Sequence, residues 1–281
     1  MSGDRQHYLP AALIGGFGCR LPNKPLREAV VVVRELRSGN VYQGSAKTQA
    51  CRHALYRLQE PPDGVDMDDI DNLWAKVESR IPDLVARLTN RNLGADDPQL
   101  LIEYAAMAGV RHPTFEDVAI DWNHHQKIQR PTLDQIQWMR VEGLLSHLKI
   151  MPSWRWRVLH STDDSPRFML SDRGWIYVQE PDQSSKAIFL PMGPTVGILG
   201  YLDANDLPPR RLPFDEHRDV VPSWVAWLNA AAGADHKLTN ALYAHPDDED
   251  SLRKLPEITT LSVNSSGPFR GAGFGANTLF Q

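Results

Sequence analysis

The sequence predicts an α+β fold: an N-terminal hairpin, a central run of helices, and a C-terminal antiparallel sheet with flanking helices. Three observations predict it. A valine-rich run at residues 29–36 is followed by Arg-Ser-Gly-Asn and then residues 41–44, which reads as two strands around a glycine-containing turn. Between residues 66 and 148 apolar side chains recur three and four apart, the period of a helix face. After Pro152 the chain breaks into short β-type runs separated by Asp, Ser, Pro and Gly. Helices gathered in the middle, with strands on both sides, argue against alternating βαβ units.

Taken in order, residues 7–17 place Tyr8, Leu9, Leu13, Ile14 and Phe17 at helical spacing, with Pro10 tolerated in a first turn and His7 near the helix start. The hairpin comes next, then a short helix over 48–58 that Glu-Pro-Pro-Asp-Gly ends. Asp66, Asp68, Asp69 and Asp71 precede the stripe Ile70, Leu73, Trp74, Val77 and Ile81, carboxylates suiting the positive end of a helix dipole. Pro82 should kink or restart that helix, and Leu84, Val85 and Leu88 continue it. Residues 98–110 and 114–125 form two more helices, separated by Arg111-His112-Pro113, and 132–148 a further one with Ile136, Met139, Leu144, Leu145 and Leu148 inward. Strands are expected at 154–160, 167–170, 175–179 and 187–190, a helix at 220–232, and a short helix or strand at 237–244. The preferred organisation is one domain over residues 1–261, with 262–281 a tail of too little apolar periodicity to pack.

Composition bounds the function classes. With 281 residues, 42% hydrophobic, 23% charged and a net charge of -5, the chain is of ordinary globular type rather than disordered or collagen-like. Two cysteines, Cys19 and Cys51, make no disulfide framework, no apolar run reaches a membrane span of ~20 residues, and residues 1–6 are polar; a cytoplasmic setting is expected. A pI of 6.1 disfavours a large non-specific nucleic-acid footprint. Zinc is disfavoured by the spacing of Cys19, Cys51, His53 and His7, and His124-His125 point about 100° apart on a helix. Trp154-Arg155-Trp156-Arg157 in a strand sends both tryptophans to one face, read as core rather than a base-stacking platform. Pro208-Pro209-Arg210-Arg211 adds a basic spot in a loop.

The order of features resembles a bacterial family of unknown function, DUF4238. The resemblance rests on His7-Tyr8-x-Pro10 followed by Leu13 and Phe17, a hairpin, a helix bearing Glu78, then Arg111-x-Pro113. It continues with Ser171-Asp172, the strand Phe189-Leu190-Pro191 and a helix near Asn229. Gly174 stands where the family's Ser-Asp-x-Pro has its proline. The resemblance spans roughly residues 5 to 255, favours a single domain, and carries almost no mechanism.

It nevertheless picks out polar positions. A histidine with two carboxylates suits acid/base work or a divalent metal. The first expectation is therefore a metal-assisted hydrolase or phosphodiesterase, nuclease-like, acting on a small nucleotide or short RNA in bacterial defence. His7, Glu78 and Asp172 would be catalytic, with Glu78 and Asp172 holding Mg²⁺ or Mn²⁺, and Arg111, Ser171 and Asn229 would bind substrate. The competing expectation is a non-catalytic module binding a ligand or protein, in which Ser171, Asp172 and Asn229 cap and hold loops, Arg111 bonds helix-end carbonyls, and Glu78 pairs with Arg80, Arg111 or Arg140. Oligomeric state is left open.

Overall fold

A computed structural model describes residues 5–162, 165–179, 186–202, 216–234 and 239–255. Its class is α+β. Strand β1 (Arg5–His7) leads into the short helix α1 (Ala11–Gly16), and the expected hairpin forms as β2 (Val30–Glu35) and β3 (Val41–Ser45). The hairpin does not stand alone. β11 (Ala241–Ala244) pairs with β2 and also with β6 (Leu170–Ser171), giving a four-stranded sheet in the order β3-β2-β11-β6. Val31, Val32 and Val33 are buried there because both faces of β2 are covered.

The middle of the chain is helical: α2 (Asp69–Glu78), α3 (Ile81–Thr89), α4 (Asp97–Arg111), α5 (Phe115–His125) and α6 (Leu133–Ile150). Pro82 restarts the helix rather than kinking it: α2 ends at Glu78 and the proline occupies the first turn of α3, where its missing N–H has no intrahelical role. α6 opens with a capping box, Thr132 Oγ1 accepting from Gln135 N at 3.2 Å while Gln135 Oε1 accepts from Thr132 N at 2.8 Å. Ile136 and Leu144 face inward as expected, but Leu145 is exposed, since the helix packs through a narrower face than its apolar content suggests.

The late strands β5 (Arg155–Ser161), β7 (Ile176–Gln179), β8 (Lys186–Gly193), β9 (Val196–Leu202) and β10 (Glu216–Val220) make a five-stranded sheet in the order β10-β5-β9-β8-β7. It is antiparallel except at one edge, where β10 runs parallel to β5, so the sheet is mixed. Trp156 is buried and stacks with Trp154 at 5.9 Å, the core face expected for that strand, and Gly200 opposite it is required: a Cβ there would meet the Trp156 ring at 2.4 Å. α7 (Pro222–Ala234) and α8 (Glu249–Arg253) complete the described elements. The basic loop at 208–211 and the tail at 262–281 lie outside the described residues.

Two local readings are corrected. His7 is not at a helix start but in β1, which pairs antiparallel with β4 (Cys51–His53) in the register His7 opposite Cys51. Residues 48–58 are not a helix; a 3-10 turn (Ala46–Thr48) ends at their start and β4 follows, bracketed by Ala50 and Ala54 at φ 46° and 49°. Alanine takes left-handed backbone at a cost of about 1–2 kcal/mol, and here it turns the chain sharply so that a three-residue strand can lie beside β1. Local propensity lost to tertiary pairing.

Candidate active site

β1 and α2 bring His7 and Glu78 to one open cavity of 610 Å³, whose walls also carry Arg5, Arg27, Lys47 and Thr48. His7 is held at both ends. Its backbone carbonyl accepts from the Arg111 guanidinium, and its Nε2 donates to the Lys47 carbonyl at 3.1 Å. A carbonyl can only accept, so Nε2 carries the proton and Nδ1 keeps a lone pair. Burial pushes the imidazole pKa below its ordinary value, against the opposing pull of the Lys47 carbonyl and Glu78, so the ring is neutral at pH 7.

Glu78 forms an ion pair with Arg111, one of the partners its position on the stripe allowed. The pair is asymmetric: the Glu78 side chain is 26% exposed and Arg111 only 1%. The guanidinium lies 5.5 Å from the Tyr56 ring centroid and 5.7 Å from that of Trp74, so a cation with no access to water is held by a carboxylate, a carbonyl and two aromatic faces. Arg111 therefore positions groups of the pocket from behind rather than lining it. The helix-end role expected of Arg111 falls to Arg140, which donates to the Val110 and His112 carbonyls at the end of α4. Burial lowers the Arg140 pKa to about 10, leaving it charged at neutral pH.

Asp172 belongs to a second, buried network. Its Oδ1 and Oδ2 accept from Asn240 N at 3.1 and 3.3 Å, and Oδ2 also accepts from Asn240 Nδ2 at 3.2 Å. His112 Nε2 lies 3.4 Å from Oδ2, an ion-pair distance without hydrogen-bond geometry. Thr114 N donates to His112 Nδ1 at 3.3 Å and Thr114 Oγ1 lies 2.7 Å from it, which leaves the proton on Nε2 facing the carboxylate. Burial lowers the His112 pKa although Asp172 opposes it. Ser171 Oγ donates to the Trp175 carbonyl at 3.2 Å. Asn229, in α7, bonds backbone on both sides of Phe168, accepting from Met169 N and donating to Arg167 O, each at 2.8 Å. At Gly174 the backbone takes φ 77°, which proline cannot adopt, so the turn after Asp172 departs from a Ser-Asp-x-Pro turn.

The structure thus joins His7, Glu78 and Arg111, and separately gathers Ser171, Asp172 and their backbone partners near Asn229. Asp172 does not line the His7 cavity. Among the described residues no group of three or more His, Cys, Asp or Glu side chains is placed to hold a metal ion. Sequence reasoning missed His112, although it lies in the quoted triplet with Arg111 and Pro113, because its carboxylate is 60 positions away in sequence. It also missed the cationic rim. Arg5, Arg27 and Lys47 come from three separate segments, and only the β1–β4 pairing and the turn after β3 bring them together. Lys47 is paired with Glu28 at 3.6 Å, while neither Arg5 nor Arg27 forms an ion pair among the described residues.

The chain is an α+β protein whose described residues place a histidine and an ion-paired glutamate in one cationic cavity. The family of proteins of unknown function DUF4238 matches residues 5–232, and the chain belongs to it. No curated protein and no solved structure matches the chain. Among the described residues no helix is long and apolar enough to cross a membrane.

Proposed function

We propose that the His7 cavity binds a small phosphorylated ligand, a nucleotide or the end of a short RNA, and that the chain hydrolyses it as a phosphodiesterase-type enzyme. The observation that carries this reading is the state of His7: a neutral imidazole in an open cavity, pinned through Nε2 so that Nδ1 is the free base, beneath arginines that have no carboxylate of their own. Nδ1 takes the proton of an attacking water or ribose hydroxyl as its oxygen bonds to phosphorus, the ester P–O bond opposite breaks, the departing oxygen takes a proton from water, and Arg5, Arg27 and Lys47 balance charge gathering on the phosphoryl oxygens. Were Mg²⁺ or Mn²⁺ to bind with the ligand, Glu78 is the cavity carboxylate that would hold it, and the ion would add charge stabilisation at the phosphoryl group. Asp172, Ser171 and Asn229 act in this account by holding loops, since each is occupied by backbone or neighbouring side-chain bonds.

The same occupied residues favour a second reading, a binding module with no turnover. One experiment separates the two: phosphate or nucleoside release from a panel of nucleotides, cyclic nucleotides and short RNAs, with and without divalent metal. Turnover lost in His7→Ala, with unfolding midpoint retained, supports the enzyme. A ligand that binds through Arg5 and Arg27 without being cleaved supports the module, and a panel that neither binds nor reacts overturns both.

A further inference from the structure

The whole-chain charge of -5 conceals a segregation. Residues 1–58 carry nine Lys and Arg against three Asp and Glu, a net charge of +6, while the remaining 223 residues are net -11. The cationic stretch supplies most of the wall of the His7 cavity. Arg5, Arg27 and Lys47 come from β1, the 3-10 turn Leu26–Glu28 and the turn after β3. Arg5 and His7 stand two residues apart in β1 and so share one face of the β1–β4 ribbon.

The positive surface runs on past the cavity. Lys24 is not part of the cavity wall and its side chain is 58% exposed; its Nζ lies 4.0 Å from Glu28 Oε2, while Lys47 Nζ lies 3.6 Å from Oε1 of the same carboxylate. One carboxylate is thus shared by two ammonium groups, and Arg5 and Arg27 have no ion pair among the described residues, so four cations face a single anion. The other carboxylate at this place, Glu78, is matched by Arg111. An excess of positive charge that begins inside a cavity and continues beyond its edge suits a ligand whose negative charge repeats along its length; a lone phosphate would engage the inner cations and not Lys24. Resting on the reading of this cavity as a phosphate site, we infer that its ligand is a single-stranded oligonucleotide, one end of which enters the His7 cavity while the next phosphates lie along Lys47 and Lys24. The net -11 of the remaining chain keeps that track short, because a backbone running beyond the cationic face meets repulsion, and a duplex would bring a second charged strand against it.

The test is calorimetric titration of the full chain with uridine 5′-monophosphate and with 5′-phosphorylated, phosphorothioate-linked uridylates of two, four and eight nucleotides, which resist cleavage, over a salt series. Affinity is expected to rise at least about tenfold from the mononucleotide to the tetranucleotide and to level off by the octanucleotide. With three phosphates neutralised at about 0.7 each on a single strand, log K for the tetranucleotide should fall against log salt with a slope of about -2. Lys24→Ala, at an exposed position, is expected to weaken the tetranucleotide at least about threefold, to reduce that slope by about 0.7 and to leave the mononucleotide unchanged. A mononucleotide that binds as tightly as the tetranucleotide, or a Lys24→Ala chain that binds the tetranucleotide as the wild type does, overturns the inference and leaves the phosphate reading of the cavity standing. No binding by any member of the series overturns both. Binding to phosphatidylglycerol vesicles with none to the oligonucleotides makes a membrane surface the partner and overturns the inference as well.

Discussion

Glu78→Gln isolates the ion pair behind the pocket. The substitution keeps shape and removes the carboxylate ion-paired with the Arg111 guanidinium, which is 1% exposed. Stripping the partner from a fully buried charge costs about 3–5 kcal/mol. Glu78 is itself 26% exposed, so water and the amide oxygen recover part of the loss, and the expected cost is about 2 kcal/mol. For a chain of this size that lowers the unfolding midpoint by roughly 4–8 °C. Arg111→Met keeps contact with Tyr56 and Trp74 but loses the bond to the His7 carbonyl. The double variant, with no buried cation left to orphan, is expected to lose at least about 1 kcal/mol less than the two single losses added. Urea unfolding of the four proteins measures this directly. Additive losses, within about 0.5 kcal/mol, would refute the claim that the two residues act as a pair.

Other expectations follow from the same geometry. Asp172→Ala removes the acceptor of Asn240 N and Nδ2 and leaves His112 without a facing carboxylate, so calorimetry should show a loss of about 2–4 kcal/mol. An unchanged midpoint would contradict the structural role assigned to it. Ala54→Gly, at φ 49°, relieves left-handed strain and should raise stability by about 0.5–1 kcal/mol, read by urea midpoint. The His160 imidazole stacks on His217 with Nε2 and Nδ1 2.9 Å apart, and its pKa is lowered to about 4 by burial first, then by Arg91 and His217. A depressed histidine binds its proton more readily unfolded, so this contribution is whole above pH 6.5 and is lost as pH falls toward 4. The ring is buried on β5, between β10 and β9, and the expected loss is about 1–3 kcal/mol. His160→Phe should flatten that part of the stability–pH curve.

The elements legible in the sequence were those whose cause is local. The hairpin around Arg-Ser-Gly-Asn, the proline-started α3 and the capped α6 each announce themselves through propensity and period. Residues 48–58 did not, because a strand there exists only through pairing with β1, and nothing nearby signals that partner. The parallel edge β10–β5 joins residues 59 apart, as Glu216 lies opposite Arg157, beyond any periodicity argument. At the site, His7 and Glu78 came from a resemblance of pattern, and their shared cavity is a property of packing. The cationic rim was illegible for the same reason: each of Arg5, Arg27 and Lys47 reads alone as a solvated charge.

The claim that the His7 cavity takes a phosphorylated ligand is tested most directly by thermal unfolding across a panel of nucleotides and short RNAs, each with and without Mg²⁺ or Mn²⁺. A ligand at 100 times its dissociation constant adds about 2.7 kcal/mol to the native state, which for this size is a rise of roughly 5–10 °C. The account predicts such a rise for at least one phosphorylated compound, abolished in His7→Ala and reduced in Arg27→Ala. No rise with any member of the panel, or a rise that both variants retain, would contradict it.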